Sequence, residues 1–299
     1  MTKPVHAPSR KWDQRIERAR ELAGQYPFAA EILTFYSKLA AFQRDFCSRL
    51  QSTLGPAAGA QYGQISPELN PRELESLVTQ FRPFLAFLQR EGTSALAGFA
   101  AGFQKGDPRD WAQLLKRFWR REEREGQKSG AKDEGAQPMP PGTGKASSDN
   151  DFMRFTALAF LQPFAEYLAG RADMPAPAVR RPVCPFCGSR PLAGVLRPEG
   201  DGAKRSLICS LCRTEWDYLR IACPACEESR DEKMCVYTAS QFEQLRVEAC
   251  ESCRTYIKTV DLTKNGRAIP EVDELAAIPL TLWADEHGYA KLGRNIFGS

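Results

Sequence analysis

The 299-residue chain is long enough for two or three modest domains, and its 42% apolar content is that of an ordinary globular protein. A formal net charge of +4 is small for this length and argues against a nucleic-acid sleeve or a polybasic membrane binder. No apolar run approaches the ~20 residues of a spanning helix, and MTKPVHAPSRKWDQR at the N-terminus lacks an apolar core and a cleavage site, so the expectation is a cytoplasmic protein without membrane insertion.

The first 120 residues read as helix. Trp12, Ile16, Ala19 and Ala23 recur at spacings of three and four, one apolar stripe. Ile32, Tyr36, Leu39, Phe42 or Gln43, Phe46 and Leu50 form a longer one, with Cys47 packed inside it. Asn70-Pro71-Arg72-Glu73 is a helix start, with a capping Asn, Pro in the first turn and Glu at the third position. Its apolar face is Leu74, Leu77, Phe81, Leu85 and Leu88, and Pro83 is expected to kink or split it. Asp107-Pro108 opens another helix, carrying Trp111, Leu114, Phe118 and Trp119.

Residues 121–150 change to charge, Gly, Pro and Ser, which predicts a flexible insertion. Within it PPGTGK (140–145) imitates a phosphate loop. The motif fails because Met139 stands where its first Gly belongs, Ala146 follows the Lys, and neither a strand before it nor a clear helix straight after it is visible. Helix returns at Asp151 with Phe152, Phe155, Ala159 and Tyr167, closing a helical domain over 10–172. An extended, proline-rich linker over 173–182 follows.

Nine of the ten cysteines lie between Cys184 and Cys253. Eight form four Cys-x-x-Cys pairs, with 21 residues between the first two pairs and 23 between the last two. CPFC matches CPAC and CSLCRT matches CESCRT at a period of about forty residues, an internal duplication. Each Cys-x-x-Cys turn offers half a tetrahedron of sulfur, and a hairpin of about twenty residues returns the other half. The repeat assigns Cys184, Cys187, Cys209 and Cys212 to site one, and Cys223, Cys226, Cys250 and Cys253 to site two, one metal ion each; counting alone leaves mixed pairings open, but they would leave the repeat unexplained. Sulfur alone does not separate zinc from iron. A closed four-cysteine shell leaves no position for substrate, so the metal is expected to be structural. Gly188 follows the first pair and suits a left-handed turn. Arg213, Glu227 and Arg254 hold the same position elsewhere, which predicts a different or less comfortable backbone there and weaker metal holding at site two. Cys235, in KMCVYT, is expected to fill core, with a spare metal ligand as the alternative. His6 and His287 are isolated, and no catalytic motif occurs.

Zinc ribbons commonly bind nucleic acid. Between Arg181 and Cys253, however, ten Lys and Arg face eleven Asp and Glu, a balance that favours protein recognition over nucleic acid. A thioredoxin-like dithiol needs a single Cys-x-x-Cys at a helix N-terminus, which four repeated pairs do not provide.

CPFCG, the hairpin ending in RSLICSLCRTEW, CPAC and ACESCRTYIK resemble, in order and flanks over 184–258, the FdhE family of formate dehydrogenase accessory proteins. VDELAAIPLTLWADEHGYAKLGRN (272–295) is similar to the family's closing helix and GYxR-type tail, with Lys291 or Arg294 as the basic residue. RARELAGQYPFAAEILTFYSKLAAFQRD (18–45) is similar to its helical start. The resemblance implies a multidomain α+β protein: an all-α N-terminal domain, two tandem rubredoxin-like, zinc-ribbon-like modules (183–220 and 221–265), and a C-terminal helix and tail (270–299). It implies a cytoplasmic, non-enzymatic maturation factor that contacts the catalytic subunit of a respiratory formate dehydrogenase, with iron at the four-cysteine sites. Thr214, Glu215 and Trp216 carry the family's flank, Trp216 as a cover for site one, Thr214 and Glu215 as candidate partner contacts. The insertion at 121–150 departs from the family pattern. A homodimer is left open, as are two rival readings, a redox-responsive metal-binding adaptor and a zinc-ribbon nucleic-acid binder.

Overall fold

The computed structural model describes residues 8–54, 66, 68–120, 144–172 and 181–298. Most of the predicted insertion, with the first four residues of PPGTGK, and nearly all of the predicted linker lie outside the described residues. The chain divides into two units, one of residues up to Ile65 with Pro163–Asn295, the other Ser66–Gln162 with Ile296–Gly298.

The first unit opens with helices α1 (Pro8–Gln25) and α2 (Ala30–Leu54), packed on each other across a short turn. Trp12, Ile16 and Ala19 of the predicted stripe are buried, and Leu22 continues it in place of the half-exposed Ala23. On α2 the face is Leu33, Tyr36, Leu39, Phe46 and Leu50, and Cys47 is buried among them.

A seven-stranded sheet follows, with β1 Pro191–Glu199, β2 Gly202–Cys209, β3 Glu215–Asp217, β4 Met234–Thr238, β5 Leu245–Cys250, β6 Thr255–Asp261 and β7 Ala290–Lys291. Its order is β3-β2-β1-β6-β5-β4, and β7 also pairs with β6. The duplication read from the cysteines recurs here: cysteine turn, strand, strand, cysteine turn, strand, twice over. The halves join where β1 runs parallel to β6, Gly194 opposite Thr259. A Cβ on Gly194 would lie 2.3 Å from the Thr259 hydroxyl, so this junction demands glycine.

The single predicted C-terminal helix is two, α7 (Pro270–Ala276) and α8 (Ile278–Glu286), interrupted at Ala277 two residues before Pro279. Every residue of α7 is buried, three carboxylates included. Each has a partner: Glu271 pairs with Arg15, Asp273 accepts from Arg18 at 2.6 and 3.0 Å, and Glu274 binds Lys258 at 2.8 Å and Lys291. Thus α1 and the sheet are tied to one short helix by buried charge.

In the second unit, α3 (Pro71–Glu91) has the predicted capping box between Asn70 and Glu73. It continues unbroken through Pro83, whose ring is exposed, so α3 is not split there. Helix α4 (Ser94–Gln104) was not anticipated, and α5 (Pro108–Trp119) begins at the Asp107 cap as predicted. Helix α6 runs Gly144–Ala169, starting seven residues before Asp151 and passing through Pro163. The final residues of the predicted insertion are therefore helical, and a helix does follow PPGTGK directly. Phe81 centres this unit, with Phe160 at 4.9 Å and Trp111 at 6.0 Å between ring centroids.

Candidate metal centres

Three of the four cysteine turns are built by the same backbone hydrogen bond. The N–H of the residue after the second cysteine donates to the first cysteine's carbonyl: Gly188 to Cys184, Glu227 to Cys223 and Arg254 to Cys250, each at 2.9 Å. That residue takes a left-handed conformation in all four turns, φ 71° at Gly188, 54° at Arg213, 61° at Glu227 and 55° at Arg254. Of the two expectations for the turns without glycine, a different backbone or a less comfortable one, the second holds. All four knuckles share one geometry, and three of them hold it with a residue for which it costs about 1–2 kcal/mol. Side-chain contacts offset this at the arginines. Arg213 donates to the Cys209 carbonyl at 3.2 Å, while Arg254 stacks 3.9 Å from the Tyr289 ring centroid and donates to Glu251 and to the His287 carbonyl at 2.6 Å each.

The four knuckles gather the eight sulfurs into two clusters, Cys184–Cys187–Cys209–Cys212 and Cys223–Cys226–Cys250–Cys253, with the ligand atoms of each within 4.8 Å of one another. Across site one, Cys184 meets Cys212 at 3.6 Å and Cys187 meets Cys209 at 3.3 Å. Across site two, Cys223 meets Cys253 at 3.6 Å and Cys226 meets Cys250 at 3.7 Å. A sulfur tetrahedron around an ion at ~2.3 Å has edges of about 3.8 Å, whereas a disulfide needs ~2.05 Å. The donor sets thus fit one thiophilic ion each.

Backbone N–H groups point at the sulfurs, Cys187 to Cys184 at 3.5 Å, Leu211 to Cys209 at 3.3 Å and Ala225 to Cys223 at 3.4 Å. Burial pushes the Cys209 and Cys212 thiols well up, while hydrogen bonds from Cys184, Cys209 and Cys212 hold Cys187 well below the usual thiol range. At site two, burial pushes Cys223 and Cys226 up. Burial also opposes a thiolate at Cys253, but the hydroxyl and N–H of Thr255 outweigh it and lower that thiol. A cation would displace the remaining protons.

The sites differ in cover. All four site-one cysteines are buried, whereas Cys226 is exposed and Cys253 half-exposed. Trp216 is buried and donates its indole N–H to the Arg181 carbonyl at 2.8 Å, on the approach to Cys184. The Thr214 hydroxyl lies 3.1 Å from the Cys212 sulfur. Glu215 is half-buried in a bidentate pair with Arg197 at 2.6 and 2.7 Å and accepts from the Ser206 hydroxyl. Cys235 sits in edge strand β4, half-exposed and outside both clusters, so it does not fill core. His287 is exposed and stacks on Trp283 at 4.2 Å.

The sequence reading passed over the buried polar set beneath β6. Lys258, wholly buried, donates to the Glu274 carbonyl at 2.6 Å and the Thr281 hydroxyl at 3.0 Å. Desolvation pulls its pKa down to about 8 despite Glu274. The signal available in the sequence was a lysine alternating into the apolar face of a strand, TYIKTV.

The family described as "FdhE, central domain" matches residues 183–220, and "FdhE, C-terminal domain" matches residues 221–297. A "Protein FdhE homolog" of Aquifex aeolicus is 25% identical over 290 residues, 95% of this chain and 94% of that protein. One of Edwardsiella ictaluri is 35% identical over 153 residues, 50% of this chain and 48% of its own length. The crystal structure of the FdhE protein from Pseudomonas aeruginosa superposes with a TM-score of 0.65 over 97% of this chain and 96% of that one, at 22% identity, a likeness of fold.

Proposed function

The chain belongs to the FdhE family, and on that premise we propose that it is an accessory factor in formate dehydrogenase maturation. It docks on the catalytic subunit of a respiratory formate dehydrogenase in the cytoplasm and performs no catalysis itself. The observation that carries this reading is the pair of closed four-cysteine clusters. The eight cysteines are the ligands of two ions, iron or zinc, with no coordination position left for a substrate. The ions hold the modules folded, and the folded modules present the docking surface, with Glu215 as a contact. No helix among the described residues is long and apolar enough to cross a membrane.

Anaerobic pull-down with mass spectrometry and metal analysis on one eluate tests the reading. Recovery of a formate dehydrogenase catalytic subunit with about two ions per chain supports it, and recovery of ribosomes or polymerase overturns it. The exposure of Cys226 favours one second reading, a redox-responsive adaptor. Oxidant would then strip site two first and release the partner.

A further inference from the structure

We propose that Thr214 and Thr255 are positioning residues for the two bound metals, each donating its hydroxyl proton to the thiolate that completes its cluster, Cys212 and Cys253. The inference rests on the metal reading but not on the role in formate dehydrogenase maturation.

Both hydroxyls arrive by the same route. The triplet Cys-Arg-Thr closes each site, at 212–214 and 253–255. Its arginine is left-handed, and this folds the following threonine back over the sulfur two residues earlier. The hydroxyl oxygen lies 3.1 Å from Cys212 in one repeat and 2.9 Å from Cys253 in the other. Neither threonine sits on a loose loop. The Thr214 carbonyl accepts the Cys209 N–H at 2.9 Å, and Thr255 opens β6 between Cys250 and Ala290. β-Branching restricts the side-chain torsion, so each hydroxyl is held where it is.

Chemistry fixes the direction of the bond. A metal-bound cysteine has lost its proton and can only accept, so the hydroxyl is the donor. Four thiolates around a divalent ion leave a net charge of about −2 on the cluster. A donor at a ligand sulfur takes up part of that charge and orients the sulfur, as partners of metal ligands do generally.

The repeats are not equal. Site one has a second hydroxyl, Ser189, 3.4 Å from Cys187. Its counterpart in site two is Glu228, whose side chain offers no donor and is held by Arg230 and Ser252, so that only its backbone N–H serves Cys226. Thr255 instead reaches two sulfurs, Cys253 and, at 3.8 Å, Cys223. Site two therefore depends on Thr255 more heavily than site one depends on Thr214.

The test is cobalt(II) titration of the full chain, reduced and anaerobic, against a competing chelator, read by the thiolate-to-cobalt charge-transfer band. Thr255→Val is expected to weaken one of two sites by roughly 10–100-fold and Thr214→Val the other by about 10-fold. Each moves its own site's band to longer wavelength, because the sulfur is left richer in charge. Thr255→Ser and Thr214→Ser restore the native behaviour. Valine variants that bind two cobalt ions with native affinity and native bands overturn the proposal while leaving the metal sites intact. So does a Thr214→Val chain that loses only its partner. Wild-type chain that takes up no cobalt sinks the metal reading itself.

A readout on the unmutated chain covers variants that fail to fold. In cadmium-113-loaded wild type, proton–cadmium correlation is expected to show the two threonine hydroxyl protons. Correlations to backbone amides alone overturn the proposal.

Discussion

Arg205 is the charge most exposed to test, because it spans the two metal modules. It leaves β2 of the first, donates to the carbonyls of Leu219 at 2.7 Å and Ala222 at 3.3 Å in the connecting segment, and reaches Glu248 on β5 of the second at 2.6 Å. Its side chain is 1% exposed and that of Glu248 5%. Burial alone would raise the Glu248 carboxyl, but Arg205 and then Arg246 hold it below the usual range. Arg205→Met leaves this carboxylate in the interior with one half-exposed arginine and removes a charged donor from two carbonyls. Removing one member of a buried pair costs about 3–5 kcal/mol. With a urea slope of ~2–3 kcal/mol/M, the midpoint should fall by about 1–2 M. The assay is urea unfolding by circular dichroism at fixed zinc under reducing conditions, since bound metal shifts the transition by mass action. Arg205→Met with Glu248→Leu should recover most of the loss, because the one charge then left without its partner, Arg246, is half-exposed and can be solvated. A single variant within about 1 kcal/mol of wild type refutes the reasoning, since ordinary surface changes reach only ~0.5 kcal/mol.

Gly194→Ala should destabilise by about 1–3 kcal/mol in thermal unfolding, because its methyl meets Thr259, and Thr259→Ala in the same chain should return much of it. Burial would push the Glu274 carboxyl up, but Lys258 and Lys291 hold it down to about 2. Its folded pKa is below the unfolded one, so its stabilisation is present above pH ~4.5 and fades as pH falls towards 2. The gap in stability between wild type and Glu274→Gln should close over that window, and a constant gap contradicts it. In the metal-loaded chain, iodoacetamide followed by peptide mapping should label Cys226 before any site-one cysteine. First labelling at Cys184 or Cys187 would reverse the ranking of the sites.

The metal clusters were legible because their signal is local and repeated. Two residues between paired cysteines and a hairpin between pairs suffice to bring eight sulfurs together. The capping box at Asn70 and the Asp107-Pro108 start were legible for the same reason, each lying within four residues. The charges buried on α7 were not. Arg18 finds Asp273 across 255 positions, and no spacing announces such a pair. Helix α4 escaped because SALAGFAAGFQ alternates alanine and glycine with little polar contrast to mark a face. Pro83 misled through a rule about helix interiors, yet its ring lies on the exposed side. The left-handed arginines were half legible. The repeat showed an equivalent position, but composition alone left open whether it takes another backbone or shares glycine's conformation at a cost.

The parallel seam between β1 and β6 makes the duplicated halves something other than beads on a string. The opening strand of one repeat is the lateral neighbour of the closing strand of the other, so neither half owns a finished edge. Cut apart at residue 221, each would expose raw hydrogen-bonding groups along Gly194–Leu196 or Thr259–Asp261, an invitation to self-association. Damage at either four-cysteine cluster therefore reaches its twin through shared backbone, and the pair stands or falls as one inheritance.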